Sequence, residues 1–154
     1  MRHCLFLIAL LLAACSPKAP GPYDERADAR AALQSAQAAA AAANQPVFVV
    51  FGANWCEDCR ALDKAMHAEP SASLIARSFQ VVKIDVGNFD RNQDIVATYD
   101  NPTRKGIPAA VLLSPDGKTL YATRAGELSS ARRMGADGIH QFLTGVADRG
   151  VRRD

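Results

Sequence analysis

The sequence lacks an excess of charge of either sign. Its 18 basic and 16 acidic residues leave a formal charge of +2, so the basic surface that nucleic-acid binding requires is missing, and no nucleic-acid partner is expected. It also lacks a long apolar run: the stretch 4–12 falls well short of the roughly 20 residues that cross a bilayer. There is no internal repeat. No second pair of closely spaced cysteines accompanies Cys56 and Cys59, so a closed four-ligand zinc site has too few thiols. At 154 residues, 49% hydrophobic and 22% charged, the chain suits one globular domain. It is too short for a multidomain enzyme and too apolar for a disordered polyampholyte.

What is present begins with Met1-Arg2-His3 and an apolar segment that ends in Ala13-Ala14-Cys15 before turning polar at Ser16-Pro17-Lys18. A charged start, a short apolar stretch and small residues at its end read as an export signal. Leu12-Ala13-Ala14-Cys15 resembles the lipobox of bacterial lipoproteins. The resemblance implies cleavage before Cys15, a diacylglycerol on its sulfur and an acylated amine, which together give durable anchoring. It also implies the periplasmic side of a bacterial membrane, and Ser16 implies the outer one. The alternative is ordinary secretion with a cysteine at that place by chance. With Cys4 removed in the signal and Cys15 consumed by lipid, Cys56 and Cys59 are the only thiols left. They must pair or act, and a bridge closing so short a loop adds little stability.

Five segments are expected: a signal at 1–14, a proline-rich tether at 15–23, an alanine-rich helix within 24–45, an α/β domain at 46–147 and a basic tail at 148–154. Asp24 is the expected cap of a helix over 25–43, because alanine has the best helix propensity. The β-branched and aromatic run 47–51 reads as a strand buried on both faces. A helix over 56–67 follows, and the crossover to a second strand at 79–86 is long enough to make the two parallel. A short helix at 93–99 precedes an antiparallel hairpin, 109–113 with 119–122, turned by Pro115-Asp116-Gly117. A last helix at 136–146 sets Ile139, Phe142, Leu143 and Val146 at helical spacing for packing on the sheet.

The chemistry lies in Trp55-Cys56-Glu57-Asp58-Cys59. A Cys-x-x-Cys that follows a buried strand and opens a helix sets its first sulfur beside unsatisfied backbone N–H groups, where the helix dipole favours thiolate. The second sulfur lies one turn on. Thiol–disulfide exchange needs this pair: Cys56 attacks a substrate disulfide and Cys59 resolves the mixed disulfide.

Here the chain resembles the thioredoxin superfamily, through the Trp-Cys-x-x-Cys after a strand and through Gly106-Ile107-Pro108 before the hairpin, over roughly 47–143. The resemblance implies a thioredoxin-like fold, with a central mixed sheet of about four strands flanked by helices and the alanine-rich helix as an addition. It implies that Pro108 is cis and faces the cysteines, with Ile107 offering backbone hydrogen bonds to an extended peptide and Trp55 beside the site. Read without it, Pro108 is an ordinary strand-entry proline and Trp55 a core residue. The implied activity is a thiol–disulfide oxidoreductase acting on protein thiols and disulfides, with no cofactor beyond its own Cys56–Cys59 disulfide. In an oxidising compartment a reductant also needs an electron-donating membrane oxidoreductase.

Two positions depart from the thioredoxin pattern. Val50, six residues before Cys56, stands where thioredoxins carry a buried acid, so that proton relay is expected to be absent. Glu57 and Asp58 replace Gly-Pro and place two carboxylates by the sulfurs. A carboxylate about 6 Å from a thiolate repels it by roughly 0.7 kcal/mol in water and about 2.8 at an effective dielectric of 20, against about 0.3–1 kcal/mol from an exposed helix dipole. Glu57 and Asp58 are therefore expected to raise the Cys56 pKa to near or above neutrality and to favour reductase or isomerase chemistry, with Arg60 and Lys64 as an offset. Two further readings are a copper(I) chaperone using Cys56, Cys59 and His67, and a non-catalytic binding domain. His67 and His140 otherwise read as exposed or half-buried helix residues. Asp90, Asp94 and Asp100 lack the alternating spacing of a calcium loop.

Overall fold

The computed structural model describes residues 21–151. The signal, the lipidation residue Cys15 and the last three residues of the basic tail lie outside the described residues. Four strands form one sheet in the order β2-β1-β3-β4: β1 (Val47–Gly52), β2 (Gln80–Asp85), β3 (Ala109–Leu113) and β4 (Thr119–Ala122). β1 and β2 are parallel, with Phe51 opposite Ile84, while β1–β3 and β3–β4 are antiparallel. This is the expected mixed sheet. All six residues of β1 are buried, as its uninterrupted apolar run requires.

Alternation along the strands divides the core between the two faces of the sheet. Val47, Val49, Phe51, Val82, Ile84 and Val111 face α1 (Ala29–Ala43) and α4 (Gln93–Thr98). Phe48, Val50 and Leu112 face α2 (Glu57–Met66), α3 (Ser71–Ser78) and α5 (Ala131–Val151), where they meet Leu62, Leu74, Ile139 and Leu143. α1 packs through small side chains, with Ala40 fully buried and Ala32, Leu33 and Ala36 partly so.

Three boundaries differ from the sequence reading. α1 begins at Ala29 and its cap is Asp28, whose side chain accepts a hydrogen bond from the Ala31 N–H at 3.0 Å. Asp24 instead accepts from the Arg26 N–H in a turn. Tyr23, placed in the tether, is 4% exposed. α5 starts five residues before the expected Ala136 and runs to Val151, into the segment read as tail; Gly135, at φ 68°, interrupts it at the point where the apolar periodicity begins. α3 was absent from the sequence reading and lies within the crossover between β1 and β2, after Pro70.

Candidate active site

β1 delivers the chain to Gly52, and a turn of three residues brings it to Cys56 at the start of α2. Cys56 is the N-cap: its Sγ accepts from the Cys59 N–H at 3.1 Å. The first sulfur thus stands at the positive end of the helix, as the spacing predicts. Cys56 and Cys59 are joined in a disulfide with Cα atoms 5.2 Å apart. Cys59 is fully buried, whereas Cys56 lines an open cavity of about 350 Å³ with Trp55, Glu57, Phe89, Ile107 and Arg132. Of the two sulfur-bearing residues, Cys56 alone lines this cavity.

The second motif arrives at the start of β3, the strand paired antiparallel with β1. After the 3-10 turn Pro102–Lys105, Gly106 takes φ 107° and the Ile107–Pro108 bond is cis. Glycine is required there because an L side chain is strained at that φ. The Ile107 carbonyl oxygen lies 3.6 Å from Cys56 Sγ. Ile107 and Pro108 are both buried, and Ile107 lines the cavity. Trp55 is not a core residue: it is 54% exposed, donates from Nε1 to the Gly87 carbonyl at 2.9 Å, and meets Phe89 edge-on at 6.3 Å between ring centres. Phe89, 46% exposed at φ 64°, escaped the sequence reading. Its clue is an aromatic in an otherwise polar stretch after β2.

The charge balance differs from the expectation. Glu57 and Asp58 do not face the sulfurs uncompensated, because Arg132, near the start of α5, clamps both. Its backbone N–H donates to Asp58 Oδ1 at 2.9 Å, its Nε to the same oxygen at 3.3 Å, and its Nη1 to Glu57. Hydrogen bonding and charge from Asp58, then the charge of Glu57, raise the Arg132 pKa further. Arg60 Nη2 lies 4.0 Å from Glu57. Two acids and two bases cancel formally, so the offset comes from Arg60 and Arg132 together. Arg132 lies more than seventy residues from the motif, and its sequence carries no local signal of this role.

Val50 is buried and apolar as read, but carboxylates return from elsewhere. Lys83, opposite Val50 in the β1–β2 register, pairs with Asp63 of α2. Asp85, buried at the end of β2, is held by Arg91 at 3.0 Å. His67 is exposed, with Nδ1 2.8 Å from the Asp63 carbonyl oxygen. Among the described residues no three His, Cys, Asp or Glu side chains form a group that could hold a metal ion.

Comparison with known proteins agrees with this geometry. A crystal structure of a disulphide isomerase from Xylella fastidiosa Temecula1 superposes with a TM-score of 0.82 at 48% identity, covering 84% of this chain and 98% of that one. The oxidised C-terminal domain of DsbD from Neisseria meningitidis shares the fold, at a TM-score of 0.52 and 20% identity over 78% of this chain and 95% of that one. The thiol:disulfide interchange protein DsbD 2 of Pseudomonas aeruginosa is 28% identical over 95 residues, 61% of this chain, which spans only 16% of that longer protein. Residues 28–115, more than half of the sequence, match the thioredoxin-like family, and the chain belongs to it.

Proposed function

We propose that this protein is a thiol–disulfide oxidoreductase that reduces or isomerises disulfides of other proteins. One observation carries the reading: Cys56 caps α2 at the floor of an open cavity, with the Ile107 carbonyl beside it and Cys59 buried beneath. In the dithiol form, the Cys56 thiolate attacks one sulfur of a substrate disulfide and the other leaves as a thiolate. Cys59 then attacks the Cys56 sulfur, releasing the second substrate sulfur; two electrons have passed to the substrate, and the Cys56–Cys59 disulfide has formed. Where a different substrate thiol releases Cys56 instead, the outcome is isomerisation. Trp55 and Phe89 supply an apolar wall, and the Ile107–Pro108 backbone an edge, for an extended peptide.

The reading extends to placement. The lipobox-like Leu12-Ala13-Ala14-Cys15 supports a lipid anchor at Cys15 on the periplasmic face of a bacterial membrane, the outer one by Ser16. A reductant there is recharged by an electron-donating membrane oxidoreductase, and no cofactor is needed beyond the cysteine pair. The likeness to a disulphide isomerase favours this chemistry.

The deciding experiment replaces Cys59 with Ala. An attacking thiol without its resolving partner accumulates mixed disulfides, so substrates are recovered linked to Cys56 and released by reductant. Wild-type protein that stays unreactive toward glutathione buffers of every ratio, together with an empty trap, sinks the proposal.

A further inference from the structure

Residues 21–25 run N-terminal to α1 and are fastened to the active-site turn. The Tyr23 N–H donates to Asn54 Oδ1 at 2.9 Å and Asn54 Nδ2 donates back to the Tyr23 carbonyl at 2.8 Å, two residues before Cys56. Asn54 also donates to Glu25. The Tyr23 side chain then passes over the end of β1, where Gly52 has no side chain. A Cβ at Gly52 would collide with the Tyr23 hydroxyl and lie 3.0 Å from Cys59 Sγ. The phenol and the inner sulfur therefore occupy one small space that only glycine leaves open.

We propose that Tyr23 is a positioning residue for the resolving step: its hydroxyl rotates to donate a hydrogen bond to the Cys59 thiolate as that thiolate forms. The need for a donor follows from the neighbours. Asp63 of α2 and Asp85 of β2 both act on this phenol, and although Lys83 and Arg91 pair with them, a carboxylate can only accept. A thiolate generated in this buried place needs a donor, because burying a charge without one is costly. Burial, then the charges of Asp63 and Asp85, hold the proton on Tyr23 well above its ordinary range, so the donor is present at every working pH. Tyr23 transfers no proton. Cys59 loses its own to water or to the departing substrate thiolate, then attacks Cys56 and frees the second substrate sulfur.

This inference rests on the oxidoreductase reading, and its test separates the two. Tyr23→Phe keeps the ring and removes only the hydroxyl. A hydrogen bond to a charged group is worth enough that its loss lengthens the life of the Cys56 mixed disulfide about tenfold or more, while alkylation of Cys56 in a Cys59→Ala background keeps its rate. In a Cys56→Ser background, Tyr23→Phe raises the Cys59 thiolate midpoint by about one pH unit, the same tenfold in equilibrium terms. Site-specific 3-fluorotyrosine at position 23, a stronger donor of nearly the same size, shortens the mixed-disulfide lifetime and covers the case of a poorly folding phenylalanine variant. Equal lifetimes in all three proteins, or an equal slowing of attack and resolution, overturn the role of Tyr23 and leave the oxidoreductase standing. A wild type that forms no mixed disulfide at all overturns both.

Discussion

Around Cys56 the charge of the two neighbouring acids is offset by Arg132 together with Arg60. Glu57 and Asp58 alone would repel a thiolate, but the Arg132 guanidinium engages both. The Arg132–Glu57 pair is exposed on both sides and adds little to stability, and the backbone N–H of residue 132 still holds Asp58 when the side chain is changed, so replacing the guanidinium tests electrostatics rather than folding. Arg132→Gln removes the positive charge from the two carboxylates and destabilises the dithiol. The variant is expected to attack a model disulfide severalfold more slowly at neutral pH and to sit further toward the disulfide in glutathione buffer, with both effects shrinking as salt screens the acids. An unchanged rate and equilibrium would show that Arg132 leaves the sulfur's charge environment alone. The contrast with the motif is physical. Cys56, Cys59, Ile107 and Pro108 were legible because their chemistry is written in short stretches of chain. Arg132, Phe89 and Tyr23 were not, because only folding brings them to the cavity from distant segments, and no spacing rule links a Tyr in a proline-rich stretch to a sulfur beyond Gly52.

Elements were readable wherever side-chain pattern alone dictates them. β1 is an apolar run and the β3–β4 hairpin carries Pro115-Asp116-Gly117, so both emerged with correct limits to within a residue. α3 has a weak pattern, with Leu74 and Ser71 its buried residues in a mostly small-residue stretch, and the early start of α5 is masked by the break at Gly135. The hairpin turn also has a partner that sequence does not announce: the Gln37 amide of α1 donates to the Ser114 and Pro115 carbonyls at 3.1 and 2.6 Å. Within the turn, hydrogen bonds from Lys118 and Ser114 hold the Asp116 carboxyl down at about 2. A depressed acid stabilises the fold above its unfolded value, near 4, and loses that contribution as pH falls through its folded value. Amide protection factors in the turn, exchange rates taken relative to an unstructured peptide at the same pH, should therefore fall as pH drops from 4 to 2, and Asp116→Asn should remove that dependence while leaving Gln37 in place. A carboxyl resonance of Asp116 that titrates near 4 would contradict the assignment.

At the scale of the whole molecule, the N-terminal strap links placement to chemistry. Tyr23 and Asn54 bind residues 21–25 to the end of the sheet that carries Cys56, so Gly21, the first described residue, lies against the active-site turn at Asn54. Only seven residues separate Tyr23 from the anchor proposed at Cys15, and the eight Cα-to-Cα steps between them span at most about 29 Å. On that proposal the cavity is held near the lipid surface, where a membrane-bound electron donor presents its own thiols. Trp55 makes this measurable, being the single tryptophan of the sequence and standing at the cavity rim. With the lipidated protein in vesicles that carry a headgroup-linked energy acceptor, transfer from Trp55 should be strong, and a twenty-residue Gly/Ser insertion after Pro17 should weaken it by letting the domain wander. The same insertion should slow recharging by the membrane donor while leaving reduction of soluble peptides unaltered, because only the encounter at the surface depends on tether length. Equal transfer and equal recharging at both lengths would mean that the strap fixes Tyr23 for the sake of the inner sulfur alone, and that the donor reaches the cavity from solution.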